Sequence, residues 1–361
     1  MTTLLHCADL HLEACFAAEG LPPAVGDQRR ASLRQTFAHI LALATERGVD
    51  AVTIAGDLYE QDYASPEVAS FLAQQFAAAA PIPFYIVPGE HDPWTEDSLY
   101  AFARWPDNVH LYPPGALSRL DVAPTVRLWG AAHPLAPHFA LCPDSMPEGP
   151  GMDILLLHAA QPPGEEALRA AGFDLALLGG VHAARLTPPV IYPGSAEPLS
   201  WAEAAGEHVA ALITLGEGAP RIEAIPVSQT RYLDLTVDLS GCGSLDDAAA
   251  LIGSMLRSHG GVAGVDECSL ARVTLIGARR FDLDLAALRA QVATPAWVEY
   301  DVQLAPAYNP EDFVGEPTPR GLLVQRLQER LAAAAESEGM TVRQALNLAL
   351  RALDGRRVRP E

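Results

Sequence analysis

The sequence predicts an α/β fold in which two facing sheets are flanked by helices, giving four layers in the order α/β/β/α. Over the first two-thirds of the chain, short strand-like runs alternate with helical stretches and end in polar residues, as in layered α/β folds. The chain has 361 residues, more than one ordinary domain needs. With 49% hydrophobic and 19% charged residues, it can bury a sizeable core.

The first domain is predicted over residues 1–230. Helices are expected over about residues 27–47 and 65–79, where apolar residues recur at helical spacing. The strand-like runs are TLLHCA, DAVTIAG, PFYIVPG, VRLWGAA, DILLLHA, DLALLGG and PVIYPGS. This alternation of strands and helices predicts the two sheets and their helical layers.

The pattern restarts beyond residue 230 and predicts a small second α+β domain over residues 231–306, which the family resemblance given below implies to be a cap domain. Helices are expected there over about residues 244–258 and 283–291, with the strands SLARVTLIG and WVEYDVQL. Residues 307–361 are predicted to form a linker and a C-terminal helical tail. The apolar residues of the tail fit two interpretations, a helix packed on its own domain and a docking element for a partner.

The charged residues exclude some classes of function. The formal net charge is −21, and all 24 basic residues are arginine, so a phosphate-binding loop that needs lysine is excluded. The negative charge repels polyanions at long range and speaks against broad capture of nucleic acid by this chain alone. No apolar segment approaches membrane-spanning length, and the 5 cysteines form no C-x-x-C pair. We therefore expect a reduced, cytoplasmic protein that does not bind membranes.

Metal-binding side chains stand at the ends of five predicted strands, in the segments ADLH, AGDLYE, PGEHDPW, LLLHAA and GGVHAA. In α/β folds the strand ends build sites at one edge of a sheet, so we expect these side chains to converge. They are Asp9, His11, Asp57, Glu90, His91, Asp92, His158 and His182.

A mixture of carboxylate and imidazole ligands suits manganese, iron or zinc, and the lack of a cysteine pair argues against structural zinc. One carboxylate, such as Asp57, can bridge two ions about 3.5–4 Å apart, which clamp a phosphoryl oxygen and activate water. Phosphate-ester hydrolysis is the expected reaction.

The motifs resemble those of the calcineurin-like metallophosphoesterases and, within them, the SbcD-type and YhaO-type DNA repair exonucleases. The likeness covers about residues 1–235 and extends to the segments HCADLHLEACF, GVDAVTIAGDLYEQD and VIYPGSAEPLSW. The family marks D-x-H, G-D-x-x-[DE], G-N-H-[DE], a later histidine and G-H-x-H correspond to Asp9–His11, Gly56–Glu60, Gly89–Asp92, His158 and Gly179–His182.

The resemblance implies one or two Mn²⁺ ions, with other divalent metals as alternatives. The first ion would be held by Asp9, His11, Asp57 and His182, and every one of these positions carries the expected residue. The second would be held by Asp57, the residue at position 90, His158 and the residue at position 180.

The chain departs from the family pattern at the second ion, with Glu90 in place of asparagine and Gly180 in place of histidine. Glu90 could offer an anionic oxygen to a hard ion, but it would also repel the substrate phosphate. His133 and His138, on a predicted loop, could replace the missing ligand, although a structural role is the favoured interpretation.

Two further roles follow from the resemblance and the charges. His91, steadied by Asp92, would stabilise the transition state or protonate the leaving oxygen. Arginines at the start of the first long helix could contact phosphate or form surface salt bridges, and the sequence favours neither. These arginines are Arg29, Arg30 and Arg34.

The resemblance therefore implies a DNA exonuclease or endonuclease subunit of an SbcCD-like repair or defence complex. An SMC-type or SbcC-like ATPase would be its partner, would supply much of the grip on DNA and would dock on the helical tail. A homodimer is expected from the same resemblance. Two alternatives remain open, a scaffold subunit with an impaired site and a phosphoesterase that acts on nucleotides.

Overall fold

The computed structural model describes residues 1–115, 117–133, 151–259, 269–279, 281–292, 297–306 and 313–333, and positions 342, 345, 346, 348–350, 352 and 353. The chain divides into two compact units, Met1–Tyr232 and Leu233–Glu361. Among the helices that the structure describes, none is both long enough and apolar enough to cross a membrane.

The first unit contains, in its described residues, two six-stranded sheets. Their strands are β1 (Thr2–Cys7), β2 (Ala51–Ala55), β3 (Phe84–Val87), β4 (Val109–Leu111), β5 (Ser118–Ala123), β6 (Val126–Gly130), β7 (Met152–His158), β8 (Leu175–Gly179), β9 (Arg185–Thr187), β10 (Val190–Tyr192), β11 (Val209–Leu215) and β12 (Arg221–Pro226). The first sheet has the order β12-β11-β1-β2-β3-β4 and the second the order β5-β6-β7-β8-β10-β9. Strands β1 to β4 are parallel neighbours, as are β6, β7, β8 and β10.

The helices of this unit are α1 (Pro23–Arg47), α2 (Pro66–Ala78), α3 (Leu99–Phe102) and α4 (Glu165–Ala170). The two predicted long helices are confirmed as α1 and α2. Helix α1 ends because Gly48 adopts a φ of +60° and its N–H caps the last turn. Helix α2 begins at Ser65, whose hydroxyl accepts a hydrogen bond from Val68 N.

The side chains of β7 show how the layers are built. Ile154 and Leu156 lie in the core between the two sheets, whereas Leu155 and Leu157 point to the opposite face, where Leu168 of α4 covers them. Because successive side chains of a strand point to opposite faces, one apolar strand contacts two layers. On the first sheet, Phe76 of α2 packs on Phe84 of β3, with ring centroids 4.7 Å apart. The predicted α/β fold is confirmed.

The second unit has its own core. Its elements are β13 (Arg231–Asp238), α5 (Leu245–His259), β14 (Ser269–Ile276), β15 (Ala278–Arg279), α6 (Leu285–Gln291), β16 (Trp297–Val302), β17 (Ala305–Pro306) and α7 (Pro319–Ala333). Strands β13, β14 and β16 form one sheet, which shares an apolar core with α5 and α6. Val324 of α7 packs with Leu346 and Leu350, so the two segments of the tail contact each other. The predicted division at residues 306 and 307 stays a prediction.

Candidate metal centre

The loops after β1, β2, β7 and β8 bring carboxylates and imidazoles together at one edge of the two sheets. Three groups of donor atoms, each with its members within 4.8 Å of one another, share residues and so form one continuous centre. The groups are Asp9 with His11 and His182, His11 with Asp57 and His91, and Asp9 with Asp57 and His158. We call the five most enclosed residues the ligand cluster, namely Asp9, His11, Asp57, His158 and His182.

Three members of the ligand cluster have a left-handed backbone. The φ angles of Asp9, His11 and Asp57 are +50°, +45° and +51°, a conformation uncommon in residues other than glycine. The loops are tied together by hydrogen bonds from Asp9 N to Gly56 O at 3.1 Å and from His11 N to Asp57 O at 2.9 Å. Such backbone strain is typical of functional sites, where the surrounding structure enforces it.

A steric constraint explains why glycine precedes Asp57. Gly56 has a φ of +80°, and a Cβ atom added there would lie 2.4 Å from His158 Nδ1. A side chain at position 56 would therefore displace an imidazole that the second sheet places against this loop.

Three imidazoles of the ligand cluster are oriented in the same way. In each, Nδ1 lies against an oxygen that can only accept a hydrogen bond, so Nδ1 donates, and the ring in its neutral form would present an Nε2 lone pair to a metal. The pairs are His11 with Glu60 Oε1 at 2.7 Å, His158 with Ala55 O at 2.9 Å and His182 with Glu203 Oε1 at 3.1 Å. Metal-binding histidines are commonly fixed in this way.

Two of these ring nitrogens lack a partner. Among the described residues, His11 Nε2 and His158 Nε2 are buried without a hydrogen bond. They lie 3.7 and 3.3 Å from Asp57 Oδ2, without hydrogen-bond alignment. Unpaired buried polar atoms are costly, and here they stand beside two buried carboxylates, Asp9 and Asp57. This donor set fits a divalent cation.

The carboxylates and imidazoles also shift one another's pKa. Burial raises the pKa of Asp57, but His158 and His11 outweigh burial and lower it to about 2. Burial lowers the pKa of His158, whereas the adjoining charges of Asp57 and Asp9 raise it to about 9. For Asp9, burial prevails over the neighbouring histidines, and its pKa lies above the ordinary value. The carboxylates thus hold a positive charge on His158, in a place where a bound cation would take over that role.

His91 lies at the open side of the centre, with 47% of its side chain exposed. Its Nδ1 lies 2.9 Å from Glu60 Oε2, so one carboxylate accepts hydrogen bonds from both His91 and His11. Burial lowers the pKa of His91, but Glu60, assisted by Asp57 and Glu90, raises it above the ordinary value.

The prediction that Asp92 steadies His91 is wrong in this detail. The carboxylate of Asp92 is fully buried and accepts hydrogen bonds from the backbone N–H groups of Asp57, Leu58 and Gly89 and from the Tyr100 hydroxyl. Burial and the nearby charge of Asp57 raise its pKa to about 7. Asp92 therefore joins the loops after β2 and β3, and Glu60 orients His91.

The two departures from the family pattern stand at positions 90 and 180. Glu90, predicted as a ligand, is exposed and belongs to none of the three donor groups found among the described residues. Gly180 has a φ of +91°, and a Cβ atom there would lie 3.1 Å from His158 Nε2. Its N–H donates to Asp9 Oδ1 at 3.0 Å. A histidine at position 180 would be strained in this backbone.

The three arginines near the start of α1 are engaged in ion pairs. Arg29 is buried and donates to Glu197 Oε2 at 3.1 Å, to Pro198 O at 2.8 Å and to the Thr230 hydroxyl. Thr36 donates to Glu197 Oε1 at 2.6 Å. We call Arg29, Thr36, Glu197 and Thr230 the arginine cluster.

The other two arginines near the start of α1 pair with acids near the surface. Arg30 pairs with Asp27, and Arg34 pairs with Glu13 at 2.6 Å. The surface salt-bridge interpretation is confirmed for Arg30 and Arg34, whereas Arg29 forms a buried salt bridge, which the sequence does not predict.

Two site residues were missed from the sequence. Glu60 is marked in the sequence only as the last residue of the G-D-x-x-[DE] motif, without an assigned role, and Glu203 belongs to no motif. Glu203 also accepts hydrogen bonds from Leu199 N and Ser195 Oγ. Although burial raises the pKa of Glu203, His182 and these donors lower it to about 2. The signal for Glu60 was its place within a motif; Glu203 lies 21 residues beyond His182 and carried none.

A buried carboxylate and imidazole centre at the edge of a two-sheet sandwich defines a metal-dependent phosphoester hydrolase. Comparison with known families agrees, because the profile described as calcineurin-like phosphoesterase matches residues 2–183, just over half of the chain. The chain belongs to the calcineurin-like phosphoesterase family.

Individual relatives are more distant. The uncharacterized metallophosphoesterase YhaO of Bacillus subtilis strain 168 is 31% identical over 117 residues, which are 30% of this chain and 27% of YhaO. The aligned part of the chain thus spans about a quarter of that relative. The crystal structure of TT1561 of Thermus thermophilus is similar at a TM-score of 0.39 and 15% identity, covering 62% of this chain and 98% of that one.

Proposed function

We propose that this chain is a manganese-dependent phosphodiesterase that cleaves DNA, as the nuclease subunit of a complex with an SMC-type or SbcC-like ATPase. The observation that carries the proposal is the ligand cluster. Its three imidazoles are tied through Nδ1, its two carboxylates are buried, and His91 stands at its open side.

The first ion would be held by Asp9, His11, Asp57 and His182, and a second would lie between Asp57 and His158. When bound, such ions supply Lewis-acid activation of a phosphoryl oxygen and of the attacking water. The chain supplies orientation, because Glu60 and Glu203 fix the rings of His11 and His182. These two glutamates are positioning residues.

His91 is the residue proposed to protonate the leaving oxygen. Since Nδ1 of His91 donates to Glu60, its Nε2 is the nitrogen free to hold the transferred proton. Glu60 raises the pKa of His91, which favours the protonated ring that a proton donor needs. The exposed edge of the ring allows a long polymer to reach it.

The DNA and partner parts of the proposal rest on the motif resemblance and on charge. A net charge of −21 opposes DNA binding by this chain alone, so a partner would provide the basic surface. The tail offers a place for such a partner, because Leu322 and Leu353 are 54% and 50% exposed there. Exposed apolar side chains on helices suit a contact between helix and groove.

The test is manganese-dependent cleavage of linear DNA by the full chain, with a small chromogenic phosphodiester assayed in parallel. The variants are Asp57→Asn, which removes a shared ligand, and His91→Ala, which removes the proton donor. His259→Ala is the matched control, because this exposed histidine ends α5 in the second unit.

Loss of DNA cleavage in Asp57→Asn and His91→Ala, with unchanged activity in His259→Ala, is the expected result. Hydrolysis of the small ester alone would indicate that the substrates are nucleotides and not DNA. Tight Mn²⁺ binding without hydrolysis of either substrate would favour a scaffold subunit, the alternative that Glu90 and Gly180 suggest.

A further inference from the structure

The His158 side of the centre lacks an imidazole that the family pattern would place on β8. Strand β7 carries His158 at its end, and its two neighbours in the sheet are β8 on one side and β6 on the other. The β8 side ends in Gly179 and Gly180, which bring no donor side chain.

The loop after β6 carries an imidazole near His158. His133 follows the end of β6 by three residues, and its ring stands edge-on to the ring of His158, with centroids 6.0 Å apart and planes at 86°. Its backbone is held in place, since His133 N donates to Pro88 O at 3.0 Å and Ala132 N donates to Pro113 O at 3.1 Å. His133 is therefore fixed next to the loop that carries His91.

The separation of the two rings fits a shared ion. A bond of about 2.1 Å between metal and imidazole nitrogen places the centroids of two histidines on one ion about 4.5–6 Å apart. His11 and His182, which belong to one donor group, have centroids 5.2 Å apart. The pair of His133 and His158 lies at the upper end of this range.

His133 is also a better replacement than Glu90. An imidazole in place of an imidazole keeps the charge of the site unchanged, whereas a carboxylate adds a negative charge that repels substrate phosphate. His133 is half-buried beside His158, whereas Glu90 is exposed, and neither residue belongs to the three donor groups found in the described part of the chain.

We infer that His133 is a ligand of the second metal ion and replaces, from the β6 side of His158, the imidazole that Gly180 omits on the β8 side. The inference rests on the proposed metal-dependent function. It makes the second site a rearranged one, held by Asp57, His158 and His133, and adjacent to the first.

The probe is Mn²⁺ alone, added to the full chain without substrate. Isothermal titration counts the bound ions, and electron paramagnetic resonance reports whether two ions are spin-coupled, as expected at about 3.5–4 Å. The variants are His133→Ala, which removes the donor, and His133→Asp, which keeps one. Glu90→Gln tests the rival ligand, and His259→Ala is the control. Circular dichroism verifies folding.

We expect two coupled ions in wild type, Glu90→Gln and His259→Ala. In His133→Ala we expect one uncoupled ion, with the second bound at least about tenfold more weakly. His133→Asp should recover coupling. Two coupled ions in His133→Ala, a single ion in wild type, or loss of the second ion in Glu90→Gln alone would each overturn the inference. Failure of wild type to bind any Mn²⁺ would instead overturn the proposed function.

Discussion

Two of the buried charged clusters among the described residues of the first unit, the arginine cluster and the ligand cluster, differ in how their charges are compensated. In the arginine cluster the chain supplies both signs, because the guanidinium of Arg29 meets the carboxylate of Glu197 and their neighbours add hydrogen bonds. In the ligand cluster, by contrast, two carboxylates face imidazoles. Among the described residues, the Nε2 atoms of His11 and His158 have no hydrogen-bond partner.

The difference separates a structural site from a functional one. In the arginine cluster the chain itself matches the two charges, although Arg29 Nε is buried without a hydrogen-bond partner among the described residues, and removing either charged partner leaves an uncompensated charge. The ligand cluster is complete only when a cation joins it, and its left-handed residues show that the fold holds it in place. Both clusters are buried and charged, so these properties do not distinguish them. The imidazole Nε2 atoms of His11 and His158, which have no hydrogen-bond partner among the described residues, do distinguish them.

The largest effect is expected from Arg29→Ala. This change should lower the free energy of unfolding by about 3–5 kcal/mol, because Glu197 would stay buried without its cation. Urea unfolding followed by circular dichroism measures it. The neighbouring Arg30→Ala is the control, since its pair with Asp27 is near the surface and should contribute less than about 1 kcal/mol. Equal losses in the two variants would contradict the comparison.

The stabilisation of the folded protein by Mn²⁺ should distinguish the two clusters directly. At a concentration of about 100 times its Kd, Mn²⁺ should raise the free energy of unfolding of the wild type by about 2.7 kcal/mol. Asp57→Asn should lose most of this gain, because Asp57 belongs to two donor groups and asparagine tolerates its left-handed backbone. Arg29→Ala should keep the gain. Thermal melts with and without Mn²⁺ test this, and an unaltered gain in Asp57→Asn would disprove it.

A smaller effect is expected at the edge of the ligand cluster. Glu203→Gln should weaken Mn²⁺ binding about 10–100-fold, because the amide loses the charge that holds His182 Nδ1. The matched variant Glu207→Gln changes an exposed glutamate in the same segment and should leave the affinity unchanged. Titration calorimetry gives both values. A structural role alone would lower stability but leave the Mn²⁺ affinity of the folded protein intact.

The smallest expected effect is the release of a proton from the ligand cluster when Mn²⁺ binds. Because the pKa of His158 is about 9 without metal, its ring is protonated at pH 7 and must lose that proton when an ion binds. The apparent Mn²⁺ affinity should weaken as the pH falls below 9. Calorimetry in two buffers of different ionisation enthalpy should show release of about one proton for the ion at His158. Identical heats in the two buffers would contradict the prediction.

The same shift has a consequence for the metal-free protein. A histidine whose pKa is raised from 6.5 to about 9 contributes stability that is fully present below pH 6.5 and is lost as the pH rises through 9. The metal-free protein should therefore lose stability between these values, and saturating Mn²⁺ should remove that dependence.

Much of the centre could be predicted because its ligands follow their strands in the sequence. Asp9, Asp57 and His158 each stand at or within two residues of a strand end, where the polarity of the chain changes abruptly. The alternation of apolar and polar runs likewise determined the fold class, since each strand and helix must bury an apolar face. These are local signals, and a single sequence carries them.

The partners of those ligands were decided by the tertiary structure. Glu60 meets His11 across 49 residues, Glu203 meets His182 across 21, and Arg29 meets Glu197 across 168. Only the order of the strands places His133 and Gly180 on opposite sides of His158. The sequence by itself thus determined which donor groups the strand ends carry. Which groups pair, and which nitrogens stay free for a metal, depends on distances that arise only when distant strands become neighbours.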